Sequence, residues 1–325
     1  MRPALVLVAA VAAVFPLQAE RRGEVYHLRR GYNFATRRHY PQLARQLYAA
    51  PFVHTLPVQL LIDKPAEARE QAAEYDRQLA ERILGHARNP PRLPPAEDIL
   101  GPSWPRLAWK VARTMEWAHV LHDQMIDILA DDRVKDKKAA LDQAIAHYLS
   151  DPLAITPAPL KVELLSAFPY SHEFHHAYPS CMGIMMAYHW LQGAQHDAML
   201  SPQEHRGHAV DAALARFREL LENPPDYFPL THKAAPNFHK LAPQAGYIFD
   251  NLHILHHIAQ DILITEKVTD KRAELYRTLP LFLKRTASAI WFAAGPQEEP
   301  PMPGAAGHKG HAATKKGHEH KEHQP

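Results

Sequence analysis

Cysteine is nearly missing from this chain. Cys181 stands alone among 325 residues, so no intramolecular disulfide can form and stability must come from packing, with or without a bound ion. A surplus of charge is missing too: the formal net charge is +2 with His neutral, which offers no basic surface to a nucleic acid. The apolar run from Ala4 to Leu17 is too short for a comfortable membrane span. No stretch alternates apolar and polar residues well enough to signal a strand. There is no C-x-x-C-H, so a haem could be held only non-covalently, between histidines.

What is abundant is histidine, with 24 residues that can titrate or bind metal near neutral pH. The chain opens with Arg2, the apolar run and Leu17-Gln18-Ala19, which reads as a secretory signal over residues 1–19. A periplasmic or secreted location is expected, with no membrane contact after cleavage; an uncleaved N-terminal anchor is the alternative. Residues 20–294 are expected to form a single helical metal-binding domain. Residues 295–325 collapse to Gly, Pro, Lys, Glu and His and predict a disordered tail, whose His308, His311, His318, His320 and His323 could capture divalent cations.

The expected fold is all-α, an irregular multi-helix bundle with Pro-rich connections. Helices are predicted over 41–50, 66–87, 104–130, 138–149, 181–200, 203–221, 244–266 and 270–293, with Pro-rich breaks at 89–95, 151–159 and 223–243.

The strongest pattern is an echo. Glu116–Leu129, EWAHVLHDQMIDIL, overlays without a gap on Asp250–Leu263, DNLHILHHIAQDIL. Glu116 pairs with Asp250, His119 with His253, His122 with His256 and Asp127 with Asp261. Helical periodicity puts Glu116, His119, Asp123 and Asp127 on one stripe, and Asp250, His253, His257 and Asp261 on the other. Each stripe shares its helix with apolar residues, so part of it should be buried. Buried carboxylates and imidazoles are costly unless paired or bound to a cation. The predicted metal ligands are therefore Glu116, His119, His122, Asp250, His253, His256 and His257, with Asp127 and Asp261 orienting imidazoles from behind.

A further candidate is His172-Glu173-Phe174-His175-His176, which adds His172, Glu173 and His176 to the ligand set. Its H-E-x-x-H resembles the zincin class of zinc metallopeptidases. That resemblance implies His172 and His176 as ligands and Glu173 as the catalytic base that takes a proton from metal-bound water. A third ligand would come from Glu204, His196 or an echo helix. The E-x-x-H pairs Glu116/His119 and Glu173/His176, with Asp250/His253 as a variant, resemble ferritin-like di-iron carboxylate bundles. This second resemblance implies a dinuclear iron or manganese centre acting on oxygen or peroxide.

Imidazole-rich donors suit iron, zinc or copper better than magnesium or calcium, and iron is the first expectation. Cys181, Met182, Met185, Met186 and His189 are soft donors that would suit copper, although such residues at helical spacing more often fill a core. The function expected first is redox chemistry on oxygen, peroxide or a small substrate at a His/carboxylate centre. A zinc hydrolase using 172–176 and a non-catalytic metal buffer are the alternatives. The expected partners are metal ions and a small-molecule substrate.

Overall fold

The computed structural model describes residues 34–160, 162–225 and 227–284. The signal expected over 1–19 and the tail expected over 295–325 lie outside the described residues, as do Ile290 and Trp291 of the last predicted helix. The fold is all-α, and among the described residues the only extended pairing is a bridge between Ile155 and Leu283.

The helices are α1 (Ala35–His39), α2 (Pro41–Asp63), α3 (Pro65–Glu70), α4 (Ala72–Arg88), α5 (Glu97–Leu100), α6 (Ser103–Ala130) and α7 (Lys137–Tyr148). After a 3₁₀ turn at Val162–Ser166 come α8 (Glu173–Ala177), α9 (Pro179–Leu200), α10 (Gln203–Glu222), α11 (Thr231–Ala234), α12 (Pro236–Leu241), α13 (Pro243–Ile264) and α14 (Lys271–Thr278). Four long helices make the centre: α2 packs on α6, α9 and α13, and α6 packs on α9 and α13. Among the described residues no helix is long and apolar enough to cross a membrane.

Several boundaries differ from the sequence expectation, and the helix expected over 66–87 is two, α3 and α4, broken at Gln71. Helix α2 continues past Ala50 through Pro51 and Pro57. Each proline removes one helical N–H, but Phe52, Val53, Leu56, Val58 and Leu61 are buried, and that burial outweighs the lost bonds. The connection at 223–243 contains α11 and α12 rather than only irregular chain. The last helix stops at Thr278, before the 3₁₀ turn at Leu279–Leu281.

The echo extends far beyond its two motifs. The shift that carries Glu116 onto Asp250 also carries Asn89-Pro90-Pro91 onto Asn223-Pro224-Pro225, Leu107-Ala108 onto Leu241-Ala242, and Asp136-Lys137 onto Asp270-Lys271. The backbone repeats with it. Ala108, a non-helical break inside α6, has φ −144 and ψ 66, and Ala242 has φ −139 and ψ 65. Gly101 and Ala235 match as closely, at −135, 67 and −144, 67. Asp136 and Asp270 each cap the helix that follows, accepting from the N–H of Ala139 and Ala273 at 2.9 Å. The chain is two halves built on one plan, α1–α7 and α8–α14, with α2 answering α9 and α6 answering α13.

Aspartates from other helices hold several helix starts, three of them within one half and Asp76 across the two. Asp127 accepts the Thr36 N–H at 2.9 Å, and Asp261 accepts those of His172 and Phe174, both at 2.8 Å. These hold the starts of α1 and α8, whose preceding residues Phe34 and His172 are both left-handed, at φ 61 and φ 68. Asp76 accepts from Ser180 and Cys181 at the start of α9, and Asp197 from Asn237 and Phe238 at the start of α12. None of these helices has a side-chain cap of its own. A carboxylate from a distant helix satisfies the free N–H groups and meets the positive end of the helix dipole.

Candidate metal centre

The four central helices bring imidazoles into one dry region. Helix α2 supplies His54, α6 supplies His119 and His122, α9 supplies His189 and His196, and α13 supplies His253, His256 and His257. Apart from His119, each is no more than 6% exposed. The Nε2 atoms of His54 and His189 are 3.1 Å apart. With His256 they form a group whose ring nitrogens all lie within 4.8 Å of one another, so this buried triad could hold a metal ion. Metal–nitrogen bonds of about 2.0–2.1 Å place two tetrahedral ligand nitrogens roughly 3.3 Å apart, close to the His54–His189 separation.

The other rings surround this triad. His256 stacks on His54 at 4.3 Å between centroids, His253 on His189 at 3.7 Å, and His119 lies 5.2 Å from His256. The Nδ1 atoms of His54, His189 and His256 and the Nε2 of His257 are buried without a hydrogen-bond partner. Burial pushes His54, His189, His253 and His256 well below the ordinary histidine value, and neighbouring imidazoles push the same way. His257 is pushed down to about 3 by burial and by His175 and His172. Neutral imidazole is the ligating form, so the electrostatics that exclude protons leave the lone pairs for a cation.

His119 differs from the rest. Burial lowers its affinity for a proton, but Glu97, with Oε1 3.1 Å from Nδ1, and then Asp123 and Glu116 outweigh that and raise it. The contact is an ion-pair approach rather than a directed hydrogen bond. His119, His54 and His122 line a cavity of about 320 Å³. Glu97, Glu116, Asp123 and Tyr48 also line it, and Leu47, Pro51, Pro94 and Val120 make apolar wall. Burial raises Asp123 to about 7, against the opposing pull of His119.

The expected ligands separate into groups. His119, His253, His256 and His257 lie in the histidine cluster. Glu116 lines the cavity. His122 points its Nε2 at the Gln192 carbonyl, 2.9 Å away, with its ring edge-on to His196. Asp250 accepts the N–H and hydroxyl of Thr231 at 2.8 and 2.7 Å, securing α11. Asp127 and Asp261 bond to backbone N–H groups as described above. His172 precedes α8 rather than lying within it, its Nε2 is 2.9 Å from Ser166 Oγ, and its ring centroid is 6.5 Å from that of His176. Glu173 forms an ion pair with Lys267 at 2.9 Å.

Motif reading missed His54, Glu97 and Asp123 as site residues, and met His189 only as a soft donor beside methionines. His54 belongs to no motif. Its one signal is an ionisable residue within a mostly apolar stretch, Phe52 to Leu61, that otherwise holds only Thr55 and Gln59 as polar residues. Cys181, Met182, Met185 and Met186 are buried core residues. Comparisons of the chain with protein-family models, with curated proteins and with solved structures found no match.

Proposed function

We propose that this is an exported metalloprotein whose ion binds at His54, His189 and His256 and carries out redox chemistry on a small molecule admitted by the adjoining cavity. The observation that carries the reading is the approach of two buried, neutral imidazoles to 3.1 Å beside a third, with their outer nitrogens unpartnered. So many desolvated ring nitrogens are costly in a protein interior unless a cation takes their lone pairs. Three neutral ligands leave the charge of such an ion uncompensated, and Glu97, Glu116 and Asp123 line the adjoining cavity, which His54 also reaches, to offset it. Iron is the first choice, with copper and zinc as alternatives, since each accepts imidazole-rich coordination. A redox-active ion would supply the electron transfer; the cavity would supply access for a substrate and apolar walls to limit water.

The test is metal content and electron paramagnetic resonance of protein truncated after Gly295, so that the histidine-rich tail does not contribute. His54→Ala, His189→Ala and His256→Ala should each lose the ion, while His205→Ala, on the exposed side of α10, should keep it. Metal that stays in all three triad variants, or that leaves only with the tail, overturns the proposal.

A further inference from the structure

The repeat relates α2 to α9 as well as α6 to α13. The offset that carries Phe34 onto His172 carries Tyr40-Pro41 onto Tyr178-Pro179, and the two tyrosines share one conformation, at φ −132, ψ 59 and φ −130, ψ 58. It also carries Gln59 onto Asp197. These accept the backbone N–H of Ser103 at 3.0 Å and of Asn237 at 3.1 Å, a pair that the offset between α6 and α13 matches in turn. By the same offsets His54 falls on Gln192, and His122 on His256. The contact of α13 with α2, where His256 stacks on His54, therefore has an image in the contact of α6 with α9. There His122 Nε2 lies 2.9 Å from the Gln192 carbonyl oxygen.

To each contact α9 adds a histidine that the first half lacks. His189, where the first half has Pro51, completes the triad; His196, where it has Val58, stands edge-on to His122 at 4.8 Å between centroids. Seven residues apart, the two histidines share one face of α9 and lie about 10 Å apart along its axis. Gln192 and Gln195 fall on the same face.

This image contact is dry and rich in acceptors. His122, Gln192, Gln195 and His196 are each no more than 5% exposed. His196 Nδ1 lies 3.2 Å from the Gly193 carbonyl oxygen, which puts the ring proton on Nδ1 and the lone pair on Nε2. That Nε2, Gln192 Oε1 and Gln195 Oε1 are all buried without a hydrogen-bond partner. Three acceptors cannot satisfy one another, and one water brings only two hydrogens, whereas a cation can take every lone pair. The Gln195 amide nitrogen also donates to the Gln192 carbonyl, at 3.1 Å, so His122 can carry its proton on Nδ1 and offer Nε2 without leaving that oxygen bare. Phe238 and Phe249 stack on His196 at 4.1 and 5.6 Å and keep it dry, while His122 and Gln192 line the cavity, which gives an ion a route in.

We propose that this contact is a second metal site, which holds a divalent transition-metal ion between His122 and His196 with the side-chain oxygens of Gln192 and Gln195. It goes beyond the proposed function and does not rest on it. With two imidazoles against the triad's three it is the weaker site, so it fills on loading and the ion carried through purification belongs to the triad.

The test is anomalous diffraction at the zinc edge from crystals of the full chain, chelated and then reloaded with excess zinc, which places each ion separately from any on the tail. A peak about 2.0–2.1 Å from His196 Nε2 is expected, besides one at the triad. His196→Phe keeps a ring between Phe238 and Phe249, and Gln195→Leu keeps the side-chain volume; the first should abolish the new peak and the second should abolish or weaken it, each with the triad peak retained. Because the unaltered chain already decides the question, a variant that failed to fold would not protect the proposal. Density at this place without anomalous signal, as from a bound water, or a second ion that survives His196→Phe would overturn it. A peak at the triad alone ends this proposal and spares the metal centre; a peak beside His196 alone does the reverse.

Discussion

The Nε2 atoms of His54 and His189 face each other at 3.1 Å across the contact between α2 and α9, the corresponding long helices of the two halves. One ring must be the donor and the other the acceptor, so one Nε2 gives up its lone pair to this bond when no ion is present. An ion replaces that single bond with two coordinate bonds and draws in His256. Chelation should therefore lower the melting temperature of the native protein, and restoring stoichiometric metal should raise it by an amount that grows with metal concentration. His256→Gln should show little of this concentration dependence. A melting temperature indifferent to chelator and to added metal would show that the triad is a hydrogen-bonded core and not a binding site.

The aspartates of the two echo stripes have a different task from the imidazoles beside them. Asp261 accepts two backbone N–H groups at the start of α8. Replacing it with Ala leaves buried donors unpaired, and the expected loss is about 1–3 kcal/mol of unfolding free energy by denaturant titration. Asp250→Ala should behave alike through Thr231. Both variants should retain metal. Should Asp250→Ala strip the metal at full stability, its carboxylate would be a ligand and the capping role secondary.

The all-α fold and most long helices were legible because apolar periodicity and Pro-rich breaks mark them. The echo was legible too, since identical residues recur at one helical phase. What the phase could not show was the partner of each side chain. His119 and Asp127 share a stripe, yet one contacts Glu97 over a cavity and the other bonds to the Thr36 backbone. That division depends on which short helix docks on α6, which is tertiary information. His54 was hidden for a related reason: the helix was expected only over 41–50, whereas burial carries it on through Pro51 and Pro57. The wider repeat was present in the chain as two Asn-Pro-Pro triplets and two Asp-Lys pairs. These are turn and cap signals that look generic until their backbone torsions are compared.

Cys181 is fully buried, with Sγ 3.6 Å from the Asp76 carbonyl oxygen, and burial followed by the nearby Asp76 charge raises its thiol above the ordinary value. A thiolate is the reactive species, so the native protein should react with a disulfide reagent no faster than it opens globally. Unfolding in denaturant should release one rapidly titrating thiol. Fast modification of the folded protein would show that α9 opens locally at its start, where Asp76 holds it.

Acidification should destabilise the metal-free protein steeply. His54, His122, His189, His253 and His256 lie well below the ordinary value because of burial, His196 is pushed down to about 4 and His257 to about 3. With folded values depressed, the unfolded chain takes up protons first. Their contribution is present above the unfolded value of about 6.5 and is lost below it, at about 1.4 kcal/mol per pH unit for each histidine. Asp123, Asp250 and Asp261, each raised to about 7 chiefly by burial, work the other way, because the folded protein protonates first as pH falls from 7 toward the usual carboxylate range. His119, raised by Glu97 against the effect of burial, also favours the folded state on the acid side. The imidazoles outnumber these groups, so the melting temperature of chelated protein should fall continuously from pH 6.5 to 5, with net proton uptake on unfolding. Bound metal should move the fall to lower pH, since protons must then displace it. A chelated protein that melts at the same temperature at pH 7 and pH 5 would mean that these rings are already protonated or solvated in the fold, and the buried neutral cluster on which the metal centre depends would not exist.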